Sequence, residues 1–508
     1  MRDEESLILM KIITRFPPSP TGNLHIGGAR TALFNYLFAK QKVGKIYLRL
    51  ENTDEERSKP EYEKNILESL NWLGITFDTI EGKPFWRQSE CTEIYRSYLK
   101  KLVDGGQAYI SKESVSDSPF SKGSTREGEG FKSSGLVRTN FASQNLRGRA
   151  DSATSFKKGG TKRVEVIRFR NPNKKIAFAD LIRGTIEFDT TELGDMVIAK
   201  SLEEPLYHLA VVVDDYEMGI THVIRGEDHI SNTPRQILLQ EALGFNRPEY
   251  AHIPLILAPD RSKLSKRHGA VSVTEYRDKG YLPEALVNYL ALLGWNPGTE
   301  QEIFSLDELV KTFDLSKVQK GGAIFSQEKL RWFNKEYLKK AGGADAILPH
   351  IPKDLTDGKS PVQVKALAEM LFERISVFGD IRKEFEAGEY EYILKKPVYS
   401  PELLFWPQEA RSGLETRLIQ VKIRQNLDEA IQRLNQIDDR SFDKVNVGNT
   451  LFKLAKERTD QRGGKGNVLW PVRVALSGRE KSPDPFTLAA ILGKDEALRR
   501  LQKALHLL

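Results

Sequence analysis

Three groups of residues in this 508-residue chain have types and spacings that could do chemistry. The first lies in the stretch from Ile12 to Ala39. Ile12, Ile13 and Phe16 form a short apolar strand, Pro17 to Asn23 interrupt regular structure, and Ile26, Ala29, Leu33 and Leu37 recur at helical spacing. The helix is expected to start near His25. Gly27 and Gly28 in its first turn each weaken it by roughly 1 kcal/mol relative to Ala, so close approach of a ligand is the expected compensation. A helix N-terminus with free N–H groups is an anion site, and a nucleotide triphosphate is its usual occupant; a tight turn is the bland alternative.

The second group is a strand end. Lys45 to Leu50 alternates like a strand and runs into Glu51, completing a βαβ unit whose polar end faces the edge where open parallel sheets bind ligands. The third group is cationic. Arg15 and Arg225 stand at strand ends, and a guanidinium can grip a carboxylate through two parallel hydrogen bonds. Ala258 to Gly269 is a polar loop with clustered cations, Lys263, Lys266 and Arg267 among them.

The elements that position these groups follow from the rest of the chain. Its length is too great for one core and predicts three to five domains at about 100–200 residues each. With 39% hydrophobic and 29% charged residues it reads as a soluble globular protein without an apolar run long enough to span a membrane. Met1 to Met10 has acidic residues where a secretory signal carries positive charge and is read as a loose extension. A single cysteine, Cys91, allows no intramolecular disulfide and no Cys-rich zinc site, in keeping with a reducing cytoplasm. The net charge of +7 is compatible with a polyanionic partner without requiring one.

Helices are predicted over 61–73 and 92–102. Ser111 to about Lys162, rich in Ser, Gly, Lys and Arg, lacks sustained periodicity and is expected to be largely disordered. Short runs at 164–169, 176–178, 184–188 and 196–199 suggest one antiparallel sheet. The apolar run 206–215 reads as a strand buried on both faces, returning the chain to the parallel sheet. A strand at 222–228, with a charged end, and a helix at 233–243 follow. From Tyr281 on, helices dominate: 283–294, 306–313, 326–338, 362–378, 414–435, 445–458, 486–492 and 496–505, with a turn at 463–466.

The segment RFPPSPTGNLHIGG resembles the nucleotide-binding signature of class I aminoacyl-tRNA synthetases, whose "HIGH" element here reads His25-Ile26-Gly27-Gly28. Lys263-Leu264-Ser265-Lys266-Arg267 matches the second signature of the class, "KMSKS". Within the class the chain is most similar to bacterial-type glutamyl-tRNA synthetases, which share the all-helical tail, whereas the related glutaminyl enzymes end in β-barrels. The similarity spans nearly the whole chain except residues 1–10 and about 113–162. There the family's Tyr-Asp-Gly pattern is missing, as is the Cys cluster that some members use for zinc.

The resemblance implies an α/β fold: a Rossmann-like parallel-sheet catalytic domain (11–104 and 201–258) with an inserted α+β acceptor-binding domain (105–200, with 113–162 disordered). A stem-contact region carrying the KLSKR loop (259–335) and an all-α anticodon-binding domain (336–508) would follow. It implies ATP with Mg2+, no zinc, L-glutamate, tRNA(Glu) and, as an open second substrate, tRNA(Gln), in a cytoplasmic monomer. Glutamate would be activated as an adenylate without a protein nucleophile, in the presence of tRNA. His25, Lys263, Ser265 and Lys266 would hold the triphosphate in the transition state. His25, Gly27, Gly28, Asp228, Leu257 and Lys266 would contact ATP. Arg15, Ser19, Glu51, Tyr207 and Arg225 would surround glutamate, Glu51 meeting its ammonium group, and Arg374 would touch the tRNA anticodon. Arg225 in an ion pair with Glu227 or Asp228, Tyr207 as a core aromatic and Arg374 as a plain surface residue stay open at this point, as does a non-catalytic tRNA-binding relative.

Overall fold

The computed structural model describes residues 11–54, 56–114, 163–265, 272–407, 415–458 and 465–508. The N-terminal extension, residues 115–162 and the second half of the cationic loop, Lys266 and Arg267 included, lie outside them. The chain divides into two compact units, residues 1–275 with 287–326, and residues 276–286 with 327–508.

The first unit alternates β1 (Ile13–Phe16), α1 (Ile26–Gln41), β2 (Lys45–Leu50), α2 (Pro60–Trp72), β3 (Trp86–Arg87) and α3 (Thr92–Asp104). Then come β4 (Ala108–Ser114), β5 (Arg163–Phe169), β6 (Lys175–Asp180), β7 (Gly184–Asp189) and β8 (Met196–Ala199). The chain continues through α4 (Tyr207–Glu217), β9 (His222–Gly226), α5 (Thr233–Leu243), β10 (Glu249–Ile253), β11 (Ile256–Leu257) and β12 (Ala323–Ile324). β1, β2 and β3 pair in parallel, as do β9 and β10. Thr221, just before β9, joins the two sets: its Oγ1 accepts from Ile13 N at 2.8 Å and its N–H donates to Ile13 O at 3.0 Å. The carboxyl ends of β1, β2 and β9 thus open on one edge, as the βαβ reading requires.

In this unit four expectations need correction. Residues 207–217 form helix α4, not a strand; its residues Leu209 to Asp215 are all buried. A short apolar run cannot separate a buried strand from a helix buried all round, and α4 is wedged against α3, α5 and β8. β2 does not alternate, since Ile46 to Leu50 are all buried, Arg49 among them. The predicted single antiparallel sheet is two: β4-β5-β8 form one, while β6 and β7 form a hairpin that extends the β9–β10 sheet through a parallel pairing of β6 with β10 at Asp180 and Tyr250. Ser111 to Ser114 are strand, paired with Val166 to Arg163; these polar residues carry no apolar signal, and the backbone ladder needs none.

In the second unit every regular element among the described residues is helical. Helices Pro361–Arg374, Thr416–Asn435, Lys444–Glu457, Gly466–Ser477, Pro485–Leu492 and Lys494–Leu507 enclose a core containing Leu367, Leu371, Ile423, Leu427, Leu451, Leu488 and Leu501. The predicted helix 362–378 stops at Arg374, and a separate helix, Phe378–Glu386, begins after it. Of the turn expected at 463–466, residues 463 and 464 lie outside the described residues, and Gly466 opens a largely buried helix, Gly466–Ser477, that the sequence reading does not contain. Among the described residues no helix is long and apolar enough to cross a membrane.

Candidate active site

The helix N-terminus is built as the sequence suggests, with an addition. His25 is the N-cap of α1, and its Nδ1 accepts the N–H of Gly28 at 3.1 Å. This capping bond leaves Nε2 as the protonated nitrogen of the neutral ring, free to donate into the cleft. A Cβ at Gly27 would meet the imidazole at 3.0 Å, and one at Gly28 would meet Leu24 at 3.0 Å. The two glycines therefore let His25 fold back over the first turn as well as clearing the approach to it. His25 stands at the surface of the cleft, yet the protein around it and the nearby Lys263 lower its pKa against a weaker opposite pull from Asp228, so it is neutral at pH 7.

The cationic loop is anchored at both ends beside this N-terminus. At its start, Leu257 and Lys263 form an antiparallel bridge. At its end, Ser272 bridges to His25, and Val273 N–H donates to Leu24 O at 2.9 Å. Lys263 Nζ lies 3.4 Å from Asp228 Oδ2. Ser265 is half-buried on the same loop, and Leu257 is half-buried in β11.

The other half of the cleft is a charged floor. Arg49 is wholly buried, with Nη1 2.6 Å from Asp215 Oδ1, Nη2 3.0 Å from Glu51 Oε1 and Nε 3.7 Å from Asp214 Oδ2. Burial opposes its charge, but Asp215, Glu51 and Asp214 together outweigh that and raise its pKa. Asp214 also accepts from Trp86, Gln88 and Tyr95 at 3.0, 2.7 and 2.7 Å. Burial pushes the Glu51 carboxyl above its ordinary range, with Arg49 opposing; a bound ammonium would supply further counter-charge. Glu51 N–H donates to Pro18 O at 3.0 Å, tying the end of β2 to the Pro-rich loop on which Ser19 is exposed.

Two arginines on this floor lack full partners. Arg15, buried in β1, gives Nε to Asp215 Oδ1 at 3.1 Å, while its buried Nη1 has no hydrogen-bond partner among the described residues. Arg225, 6% exposed in β9, donates to Gln236 Oε1 at 2.8 Å, Thr233 Oγ1 at 2.7 Å and His252 Nε2 at 3.2 Å, all uncharged groups. The ion pair with Glu227 or Asp228 is not formed, because Glu227 pairs with Arg183 at 2.5 Å and Asp228 faces Lys263. Burial lowers the pKa of Arg225, as it must for a cation without a counter-ion in contact. Tyr207, at the first turn of α4, is exposed at the cleft rather than a core aromatic, and its hydroxyl lies 3.1 Å from His229 Nδ1. That nitrogen is also approached by Asn232 Nδ2 at 3.2 Å, so it is an acceptor, and burial followed by Arg225 lowers the His229 pKa to about 4.

Tyr207 thus lies close enough to Arg225, Glu51 and Arg15 for their charges to act on its hydroxyl, and His25, at the first turn with Gly27 and Gly28, lies close enough to Lys263 and Asp228 for theirs to act on its imidazole. Arg374 is exposed at the end of its helix in the other unit. Sequence reasoning missed Arg49, Asp214 and Asp215; a charge inside an apolar strand and a paired carboxylate at the end of an apolar run were the available signals.

Comparison with known proteins bears on the family. Residues 11–332 match the family model "tRNA synthetases class I (E and Q), catalytic domain", and residues 327–505 match "Anticodon binding domain". The glutamate–tRNA ligase of Carboxydothermus hydrogenoformans is 41% identical over 96% of this chain and 98% of its own length, and that of Aquifex aeolicus 41% identical over 98% and 99%. Among solved structures, a glutamate tRNA ligase from Elizabethkingia meningosepticum in complex with its amino acid superposes with a TM-score of 0.75 at 30% identity, covering 98% of this chain and 99% of that one. Similarity of that extent, on a site of this composition, settles the family: the chain belongs to the class I tRNA synthetases of the E and Q type.

Proposed function

We propose that this chain joins L-glutamate to tRNA at the expense of ATP. In the first step the glutamate α-carboxylate attacks the α-phosphorus of ATP, giving glutamyl-adenylate and pyrophosphate. In the second, a terminal ribose hydroxyl of the tRNA takes the acyl group and AMP leaves. Relatives named glutamate–tRNA ligase match 96–98% of this chain, and one observation here carries the choice of amino acid: Arg225 is buried with three neutral partners and no carboxylate in contact among the described residues. A side-chain carboxylate would complete it, whereas glutamine would leave it a desolvated cation.

In this reading Glu51 meets the ammonium group, Arg15 and Tyr207 line the pocket, and Ser19 closes it from the Pro-rich loop. His25 donates through Nε2 to the phosphates, supported by the N–H group at Gly27 and by the missing side chain at Gly28, whose own N–H is held by His25 Nδ1, and Lys263, Ser265 and Lys266 bring positive charge and a hydroxyl as charge develops. Asp228 and Leu257 border the ATP. Mg2+ arrives with the nucleotide and shares the charge of its phosphates. Residues 105–200 serve the acceptor stem, 259–335 the adjoining stem and 336–508 the anticodon, with Arg374 on that surface. The protein works as a cytoplasmic monomer.

The test is charging of purified tRNA(Glu) and tRNA(Gln) with labelled glutamate and labelled glutamine. Glutamate on tRNA(Glu) is expected; label on tRNA(Gln) as well marks a non-discriminating enzyme. Tight tRNA binding with no ATP consumed contradicts the proposal and leaves a non-catalytic tRNA-binding protein.

A further inference from the structure

We propose that Asp180 and His252 act as a positioning dyad that fixes the guanidinium of Arg225 for its carboxylate ligand, an inference that rests on the reading of Arg225 given above. Asp180 ends β6, in the hairpin whose register with β10 pairs Asp180 with Tyr250, and His252 lies on β10. Both side chains are wholly buried, with His252 Nδ1 2.6 Å from Asp180 Oδ2.

The neighbours of the pair fix the protons on His252, with Thr233 Oγ1 also 3.1 Å from its Nε2 and able to donate there. Asp180 Oδ1 accepts the N–H groups of Ile182 and Arg183 at 3.0 and 2.9 Å, and Oδ2 accepts both the N–H and the Nδ1–H of His252 at 3.0 and 2.6 Å. The carboxylate is saturated with donors and acts only as an acceptor. His252 Nδ1 must therefore carry a proton. Arg225 Nε can only donate, so His252 Nε2, 3.2 Å away, must be the acceptor. The imidazole is neutral and locked in one tautomer. Protonation of Nε2 would set N–H against N–H beside a guanidinium, and burial, together with Arg225, keeps the His252 pKa below its ordinary value despite Asp180.

The consequence for Arg225 is a fixed plane. Its five N–H donors are divided: one goes to His252, one to Gln236 and one to Thr233, leaving two for a ligand. The imidazole is flanked by Tyr250, nearly parallel to it at 10° with ring centres 6.3 Å apart, and by Phe178 edge-on. The hairpin β6–β7 thus reaches the amino-acid pocket without touching substrate. Arg183, in its turn, strengthens the connection by donating to His252 O at 3.1 Å and pairing with Glu227.

Asp180→Asn tests the dyad. Asparagine has one acceptor oxygen where four N–H groups need two, so the tautomer lock fails. The glutamate KM should rise about ten- to hundredfold while the ATP KM stays within about twofold. Combined with Arg225→Ala, it should add nothing to the glutamate KM of Arg225→Ala alone. Equal rises in both KM values, or full additivity, would show a merely structural residue and overturn the proposal. No change of glutamate KM in Arg225→Ala itself would instead remove Arg225 from the pocket, and the dyad's role with it. Should Asp180→Asn fail to fold, 15N-histidine NMR of the unaltered protein decides, with His252→Gln to assign the signal: the neutral Nδ1–H form is expected, and a neutral Nε2–H form or an imidazolium at pH 7 contradicts the dyad.

Discussion

Replacing Arg49 by leucine removes the cation on which the pocket floor is assembled. The parent side chain has no exposure and contacts Asp215, Glu51 and Asp214 at 2.6, 3.0 and 3.7 Å. Asp215 would keep Arg15, but Glu51 and Asp214 would lose the only cation in ion-pair contact with them among the described residues. Breaking a buried ion pair from one side destabilises by about 3–5 kcal/mol, against about 0–1 kcal/mol for an exposed pair such as Lys83 with Glu90. At about 2–4 °C per kcal/mol the melting temperature should fall by about 6–20 °C. The pH dependence gives the cause away. Burial already raises the folded-state pKa values of Glu51 and Asp214, and without Arg49 they rise further. The folded variant then binds more protons than the unfolded chain above about pH 4, so its stability falls as pH rises through that window. Calorimetry at pH 5 and pH 8 should show the larger deficit at pH 8. A melting temperature within about 2 °C of the parent at pH 8, or a deficit that shrinks as pH rises, refutes the reasoning.

Other outcomes follow from single features. His25→Ala should slow adenylate formation by about 10²–10³-fold and weaken α1 by about 0.5–2 kcal/mol through loss of its cap; intact pyrophosphate exchange would reduce the helix to a binding platform. Cys91 is buried, and burial with Asp214 pushes its thiol up to about 12, so at pH 8 it should resist alkylating reagents until the fold opens, and rapid stoichiometric labelling of native protein would contradict this placement. Ser114 and Arg163 are register partners in the β4–β5 pairing. Joining them through Asn-Gly in place of residues 115–162 should therefore leave the β4-β5-β8 sheet folded and glutamate charging within a few-fold; an insoluble product would show that the excised stretch carries structure.

Strand, loop and helix around His25 were legible because local signals agree there: an apolar strand, prolines that forbid regular structure, and 3.6-residue spacing. α5 likewise spans Thr233–Leu243 as read, with Pro234 in its first turn. Where local signals are ambiguous, packing decided. The run at 207–217 has the composition of a buried strand, and only its position against α3, α5 and β8 makes it a helix. The site divides in the same way. Arg15, Glu51 and Arg225 could be named because they sit at strand ends, where a parallel sheet presents ligands. Arg49, Asp214 and Asp215 could not, since they become partners only when β2 and α4 come together, 165 or so residues apart in sequence. Asp180 is no more legible, on a hairpin whose single register contact with β10 leaves no trace in periodicity.

The most direct test of the account is tRNA-supported pyrophosphate exchange with glutamate and with glutamine in turn. Two buried arginines short of partners should favour glutamate by about 10⁴-fold in kcat/KM, the discrimination of a site whose polar groups are left unpaired by the wrong substrate. Arg225→Ala should lose most of that preference through glutamate alone. Equal use of the two amino acids by the unaltered protein, or an unchanged preference in Arg225→Ala, would contradict it.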